Sequence, residues 1–493
     1  MPLILRKVLK WVGIGLAVII VTGAALFAFG LRVVLYGGGT PRLQFVESER
    51  TRSERLARSR AAQRGTPAGP AASIVDATAA APPAAESAPR AAPAAIEPAV
   101  PPPPVGGQWT DFRGPLRDGH YRERPVRTAW PREGLKPLWK QPIGGGYASF
   151  VSAGGRAFTI EQRDSQEVVA AYDVATGREL WTTGWDTVFR ESMGGDGPRA
   201  TPTWADGRVY ALGGAGELRA LDEASGRTLW RTNILQDAGA ANLQWGMAAA
   251  PLVVDSTVVV LPGGRNGQSV VAYDRASGAR AWSALDDQAA YASPMLVTIG
   301  GVRQILVFSA TRLLGMTPAG ERVLWEYPWK TNYDVNAAQP LMVSENRIFI
   351  SSGYGTGAAV IELTESAGAF AVREVWRNIR MKNQFTSSVL HEGFIYGLDE
   401  SILACLDAAT GAVKWKGGRY GYGQVLLASG HVIVLTEEGE LVLIRATAER
   451  HQEVGRSPAL EGKTWNHPAM TDGYLLLRNG VGMAAFDLRE PGR

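Results

Sequence analysis

From residue 148 onward the apolar residues fall in short runs broken by turns rich in Gly, Asp or Asn, and the pattern repeats. One phrase reads ASFVSAGGRAFTI at 148–160 and ATPTWADGRVYAL at 200–212. It returns at 249–261, 292–308, 338–351, 386–398, 423–435 and 466–478. Two apolar runs flanking such a turn predict a β-hairpin. A second phrase follows each copy, in places degraded. Its clear forms are VAAYDVATGRELW at 169–181, LRALDEASGRTLW at 218–230, VVAYDRASGARAW at 270–282 and ILACLDAATGAVKW at 402–415. Each is an alternating strand, an Asp-to-Gly turn and a strand that reaches Trp. One unit is therefore four short strands in roughly 40–50 residues, the period of propeller blades rather than of helical solenoids.

Counting the first phrase gives eight units. The repeated residues have structural work to do. Asp173, Asp222, Asp274 and Asp407 can accept backbone N–H bonds in their turns, and Gly177, Gly226, Gly278 and Gly411 can supply a positive φ. Trp181, Trp230, Trp282, Trp325, Trp376 and Trp415 each offer one large flat surface per blade, to wedge against a neighbour. Trp139 precedes the first hairpin, and the eighth Trp position is eroded near Val454. The last unit stops after a third strand, MAAFDL at 483–488. Residues 135–141 are predicted to supply the missing strand, which seals the ring and removes two open sheet edges.

The N-terminal quarter reads differently. Residues 11–31 are an unbroken apolar run of about the ~20 residues that cross a bilayer, preceded by Arg6, Lys7 and Lys10. That charge placement keeps residues 1–10 in the cytoplasm and exports everything beyond. The expectation is an uncleaved anchor in the inner membrane, with the propeller in the periplasm or outside the cell. A cleaved signal is the alternative, although its apolar core would normally be ~7–15 residues. Residues 32–107 read as a linker: a charged stretch at 46–64 able to form a short exposed helix, then Ala and Pro from Gly65 to Gly107. Such a composition buries no core and acts as a spacer of up to ~3.1 Å per residue. Residues 108–493 are the propeller.

Charge and cysteine content narrow the function classes. Twelve of the 51 basic residues but only six of the 47 acidic ones lie in 1–107, so the propeller itself is nearly neutral. Nucleic-acid binding calls for a basic face on the folded domain, and these totals offer none. The single Cys405, in the apolar context ILACLD, excludes an intrachain disulfide and any Cys-based zinc pattern. It reads as a core residue. The five His show no paired ligand spacing, and EGKT at 461–464 is not a phosphate loop because Ser457 stands where glycine is required. The glycine-rich GYGTG at 353–357 and PGGRNGQ at 262–268 read as turns.

An array of A-x-D-x-x-T-G-x-x-x-W units resembles the pyrroloquinoline-quinone (PQQ) repeat, or quinoprotein-like, β-propellers, over roughly 108–488. That resemblance implies an all-β, eight-bladed propeller with tryptophan docking. It also implies two kinds of activity. The family holds PQQ- and Ca²⁺-dependent alcohol and sugar dehydrogenases, and cofactor-free scaffolds of the BamB type. This chain is closer in pattern to the scaffolds. It lacks the vicinal Cys pair of the soluble alcohol dehydrogenases, has no long excursions between blades, and offers no residue that aligns with their calcium ligands or catalytic Asp. No catalytic, cofactor or metal residue is therefore assigned. The leading QWTDFRGPLRDGHY at 108–121 resembles a segment common in exported propellers, with no known chemistry. The polar loops 329–339 and 380–385 are candidates to face the central funnel, or are simply solvated. The expectation is a monomeric, membrane-tethered binding or scaffold module with an envelope protein partner and no cofactor, its specific version being outer-membrane protein assembly. The alternative is a quinoprotein dehydrogenase using PQQ and Ca²⁺.

Overall fold

The computed structural model describes residues 11–12, 22–23, 26–64 and 108–490. Eight antiparallel sheets follow one another around a ring, each from an inner strand at the axis to an outer strand at the rim. The first blade is typical: 151–153, 156–163, 166–173 and 179–185 pair in chain order. All eight predicted hairpins form the two inner strands of a blade. Their middle strands are almost wholly buried, as at Val168–Tyr172 and Leu441–Ile444, because both faces of every blade meet a neighbour. Continuous apolar runs, rather than strict alternation, are the sequence mark of such strands.

The ring closes as the truncated last unit requires. Trp139–Pro142 pairs antiparallel with Gly482–Asp487, in the register Ala485↔Trp139 to Gly482↔Pro142. One sheet gains a strand that the repeat did not announce: His120–Tyr121 adds in parallel to the inner strand Gln424–Ala428.

Tryptophans link successive blades. The Trp181 indole N–H donates to Glu223 O at 2.9 Å, and its ring lies against Gly226, where a Cβ would come within 2.4 Å of ring carbon. Trp139, Trp230, Trp376 and Trp415 repeat the bond to Val174, Arg275, Ala408 and Thr447 of the following turn. Gly177, Gly278 and Gly411 sit beneath Trp139, Trp230 and Trp376, and Gly320 beneath Trp282. Glycine is required there twice over, by a φ near +70° and by the indole above it. Trp325 departs from the pattern and donates to Gln304 of its own blade at 2.6 Å. The facing turn in the next blade is TESAGAF, which lacks the Asp-to-Gly geometry. At the eroded eighth position Trp130 packs over Gly455 instead. Within the turns, Asp173, Asp222, Asp274 and Asp407 each accept a backbone N–H three residues on. Cys405 is fully buried.

The N-terminal region is more structured than its composition suggests. Strands β1 (Leu31–Tyr36) and β2 (Thr40–Phe45) form a hairpin, and helix α1 (Glu49–Arg64) follows. The helix falls in the charged stretch expected to form one, but it is seated on the propeller rather than free in solvent. Arg60 is 4% exposed. It donates to Gln141 and to Pro142 O and pairs with Glu179 at 3.1 Å. Glu49 meets Arg190 at 2.8 Å. Residues 32–64 therefore depart from the expected linker: its charged residues find partners on the propeller rim. No helix among the described residues is long and apolar enough to cross a membrane. Most of the apolar run 11–31 and all of 65–107 lie outside the described residues.

Candidate ligand chamber on the propeller axis

Eight inner strands leave a channel along the axis, and the segment 108–121 closes one end of it. Trp109, 1% exposed, pairs its backbone with Ser152 of the first blade. Thr110 O accepts from Trp204 N, and Gly119 O from Leu427 N, both at 2.8 Å. Two arginines then reach across the axis. Arg117 donates to Pro251 O at 2.5 Å and Pro294 O at 2.8 Å and pairs with Asp111 at 2.9 Å. Arg113 donates to Ser387 O at 3.1 Å and Ser388 O at 2.7 Å. Both adopt positive φ, 67° and 55° for Arg113 and Arg117. That backbone costs about 1 kcal/mol or more for a non-glycine residue, and the bonds to carbonyls of several blades hold it in place. The segment with no known chemistry is an axial plug.

The plug turns a channel into a chamber of about 670 Å³ open at the opposite end. Phe112 and His467 form part of its floor, edge to face at 5.7 Å. Burial drives the His467 pKa down to about 3, so this imidazole stays neutral. The walls come from loops that carry each outer strand back to the next inner strand. On one side the rings of Tyr147, Trp465 and Phe385 run in contact at 5.6 and 4.8 Å. On the other, Trp245 meets Tyr291 at 5.6 Å and Tyr333 meets Tyr354 at 5.3 Å. The tip of the N-terminal hairpin, Leu35 to Gly39, forms part of the rim. It is held by Gly37 N–H on Glu437 at 2.6 Å and by the Arg42–Glu438 ion pair.

One cation, Arg199, lines this aromatic wall, and a second, Lys463, lies behind it against the rings of Trp465 and Tyr147. Lys463 Nζ lies 4.0 Å from the Trp465 ring centre, and the Arg199 guanidinium lies 5.3 Å from that of Tyr147. Lys463 donates to Gly194 O at 2.8 Å, and Arg199 to Gly195 O and Gly197 O, each at 2.6 Å. Among the described residues neither makes a salt bridge, and no Asp or Glu lines the chamber. Burial lowers the Lys463 pKa to about 8 and that of Arg199 below its usual value. Glu191, Asp196 and Glu437 act on these cations from outside the lining without pairing with them. An aromatic cavity with such positive charge in and behind its wall suits a ligand with apolar bulk and a negative group.

A resident calcium ion is a poor fit. Ca²⁺ takes six to eight oxygen ligands, several of them carboxylate. The chamber offers aromatic rings, amides, hydroxyls, a neutral imidazole and one guanidinium. Among the described residues, no group of three His, Cys, Asp or Glu is placed to hold a metal.

Both polar loops noted in the sequence reach the chamber, through Tyr333, Val335 and Ala337 of one and Gln384 and Phe385 of the other. GYGTG is a turn between strands, yet its Tyr354 enters the wall. Lys463, set aside with the false phosphate-loop motif, lies just behind the wall against Trp465 and Gly194. The sequence reading missed Tyr147, Arg199, Trp245, Tyr291 and Trp465. The repeat Asp, Gly and Trp residues lie in the outer turns and between blades, and none lines the chamber.

The model of a family described as outer membrane protein assembly factor BamB matches residues 164–417. The chain belongs to this family. Among solved structures it is similar to BamB from Moraxella catarrhalis, at 13% identity and a TM-score of 0.52, over 71% of this chain and 99% of that one. It is also similar to quinohemoprotein alcohol dehydrogenase from Comamonas testosteroni, at 12% identity and a TM-score of 0.56, over 78% and 81%. Identities this low show the shared fold alone, and the chemistry has to be argued from the site. No curated protein matches the chain.

If Lys463 supplies charge to the chamber, binding of an aromatic anion such as anilinonaphthalene sulfonate falls as pH rises through about 8, where the ammonium deprotonates. Fluorescence titration at pH 7 and pH 9 is expected to show roughly tenfold weaker binding at the higher pH. Lys463→Arg should abolish that difference, and Lys463→Met should bind weakly at both. A pH-independent wild type would show that the charge plays no part.

Proposed function

We propose that this protein is a membrane-tethered, exported propeller acting as a non-catalytic binding module, with the axial chamber and its surrounding loops as the working surface. The observation that carries the reading is the chamber wall: aromatic, lined by Arg199 with Lys463 behind it, and with no carboxylate among its lining residues. A quinoprotein dehydrogenase needs a carboxylate near the substrate to take its proton, and oxygen ligands for its metal. This wall offers no carboxylate for either role. It supplies apolar area and positive charge, the features that retain an extended protein segment or another ligand with acidic and apolar parts. The tether rests on the apolar run 11–31 with Arg6, Lys7 and Lys10 before it. The plug and ring closure favour a rigid platform, because each ties distant parts of the chain to the axis.

Outer-membrane protein assembly is the specific version that membership of the BamB family favours, with the propeller in the periplasm and an envelope protein as partner. Depletion of the chain should then lower the levels of folded outer-membrane barrels, measured by heat-modifiable migration in gels. Unchanged levels would remove that version while leaving the binding module standing.

Calorimetric titration with PQQ, with and without Ca²⁺, separates the module from the enzyme. No calcium-dependent binding and no dye-linked oxidation of alcohols or sugars are expected. Tight one-to-one binding that requires Ca²⁺ would overturn the proposal.

A further inference from the structure

The hairpin at the chamber rim has two unlike faces. Its register pairs Leu31 with Phe45, Val33 with Leu43 and Leu35 with Pro41 on one face. Arg32 with Gln44, Val34 with Arg42, and Tyr36 with Thr40 occupy the other. The second face belongs to the propeller: Tyr36 is 4% exposed and Arg42 pairs with Glu438. The first face is apolar and turned outward, with Val33, Leu43 and Phe45 exposed at 64%, 70% and 67%. Phe29, just before the hairpin, is 82% exposed. Large side chains grouped like this in water mark a surface that meets something else.

The path of the chain says what that is. The apolar run 11–31 leads into β1 with no intervening residues. After the hairpin, α1 is fixed to the propeller through Arg60, and the chain is again on the propeller at Trp109. The Ala/Pro segment 65–107 thus begins and ends on the same body, and it cannot space that body away from the apolar run. A Pro-rich segment separates two bodies only when its ends belong to different ones.

We propose that the chamber end of the propeller lies against the lipid bilayer, with Val33, Leu43 and Phe45 in the interfacial layer. This rests on the anchor reading of the apolar run given above. The face suits a bilayer: it carries no charged side chain, both its arginines point to the other side, and it adjoins the segment that would enter the lipid. The chamber then opens close to the membrane surface rather than far out in the aqueous space. A ligand would reach it along that surface.

Site-specific labelling tests this on the full chain in vesicles of phosphatidylcholine with one quarter phosphatidylglycerol. Cys405 is fully buried and its thiol pKa is pushed up to about 12, so it stays unlabelled. A fluorophore is placed at Leu43→Cys or, as control, at Glu345→Cys, an exposed turn between the inner strands of the fifth blade. That turn is at the opposite end of the propeller from the chamber. Lipids bearing a nitroxide near the headgroup should quench the label at 43 at least threefold more than the label at 345. Equal, weak quenching on chains that float with the vesicles would overturn this proposal and leave the anchor intact. Chains that fail to float would overturn both. A label at 43 shielded from both lipid nitroxide and aqueous iodide as protein concentration rises would assign the face to a second copy of the chain, and would likewise overturn the bilayer assignment.

Discussion

The pairing of Trp139–Pro142 with Gly482–Asp487 is the constraint on which the rest of this structure depends. Each blade is a small sheet with two apolar faces, unstable alone and stable only between neighbours. A ring of eight leaves no blade with an uncovered face, provided that the last meets the first. Joining the two ends of the propeller in one sheet makes opening the ring equivalent to tearing a strand from a core. The tryptophan contacts then act around a closed ring, six of them linking the outer strand of one blade to the turn of the next, with Trp325 and the eroded eighth position the exceptions. They set the spacing between blades, and with it the width of the axial channel.

A channel of fixed width is what makes the plug and chamber workable. Arg113 and Arg117 reach carbonyls on separate blades, which only a rigid ring holds at constant distances. Their bonds to backbone oxygens satisfy strand ends around the axis and block one end of the pore. The opposite end stays open and is walled by loops, which carry no sheet bonds and are free to differ in sequence. The division is physical: repeats build the frame, and the departures from repetition between blades build the site.

That division also explains what could be read from the sequence. The hairpins, their number and the closing strand were legible because strand pairs and turns are local, so Gly177 or Trp181 announces its role within a dozen residues. Trp325 could be counted but its partner could not, since the loss of docking lies in the following blade's turn. The chamber was not legible as a unit, because its wall is assembled from loops that meet only once the ring has closed. A weaker signal was present: Tyr147, Tyr291, Phe385 and Trp465 each stand directly before an inner-strand phrase. The N-terminal hairpin was hidden in a different way. LRVVLYGGGTPRLQF follows an apolar run and precedes a charged one, and its Gly-rich turn reads as linker until Gly37 is seen against Glu437 and Tyr422.

Residues 108–121 close one end of the axis, and their backbone bonds to several blades hold them as firmly as the blades themselves. Hydrogen–deuterium exchange of the full chain measures this directly, because slow exchange requires that a bond open only with the structure around it. The amides of Trp204 and Leu427, which donate to Thr110 and Gly119 of the plug, are expected to exchange as slowly as those of the middle strands. Exchange of these amides and of the 108–121 segment within seconds, while the blades stay protected, would mean that the pore is open and the chamber has no floor.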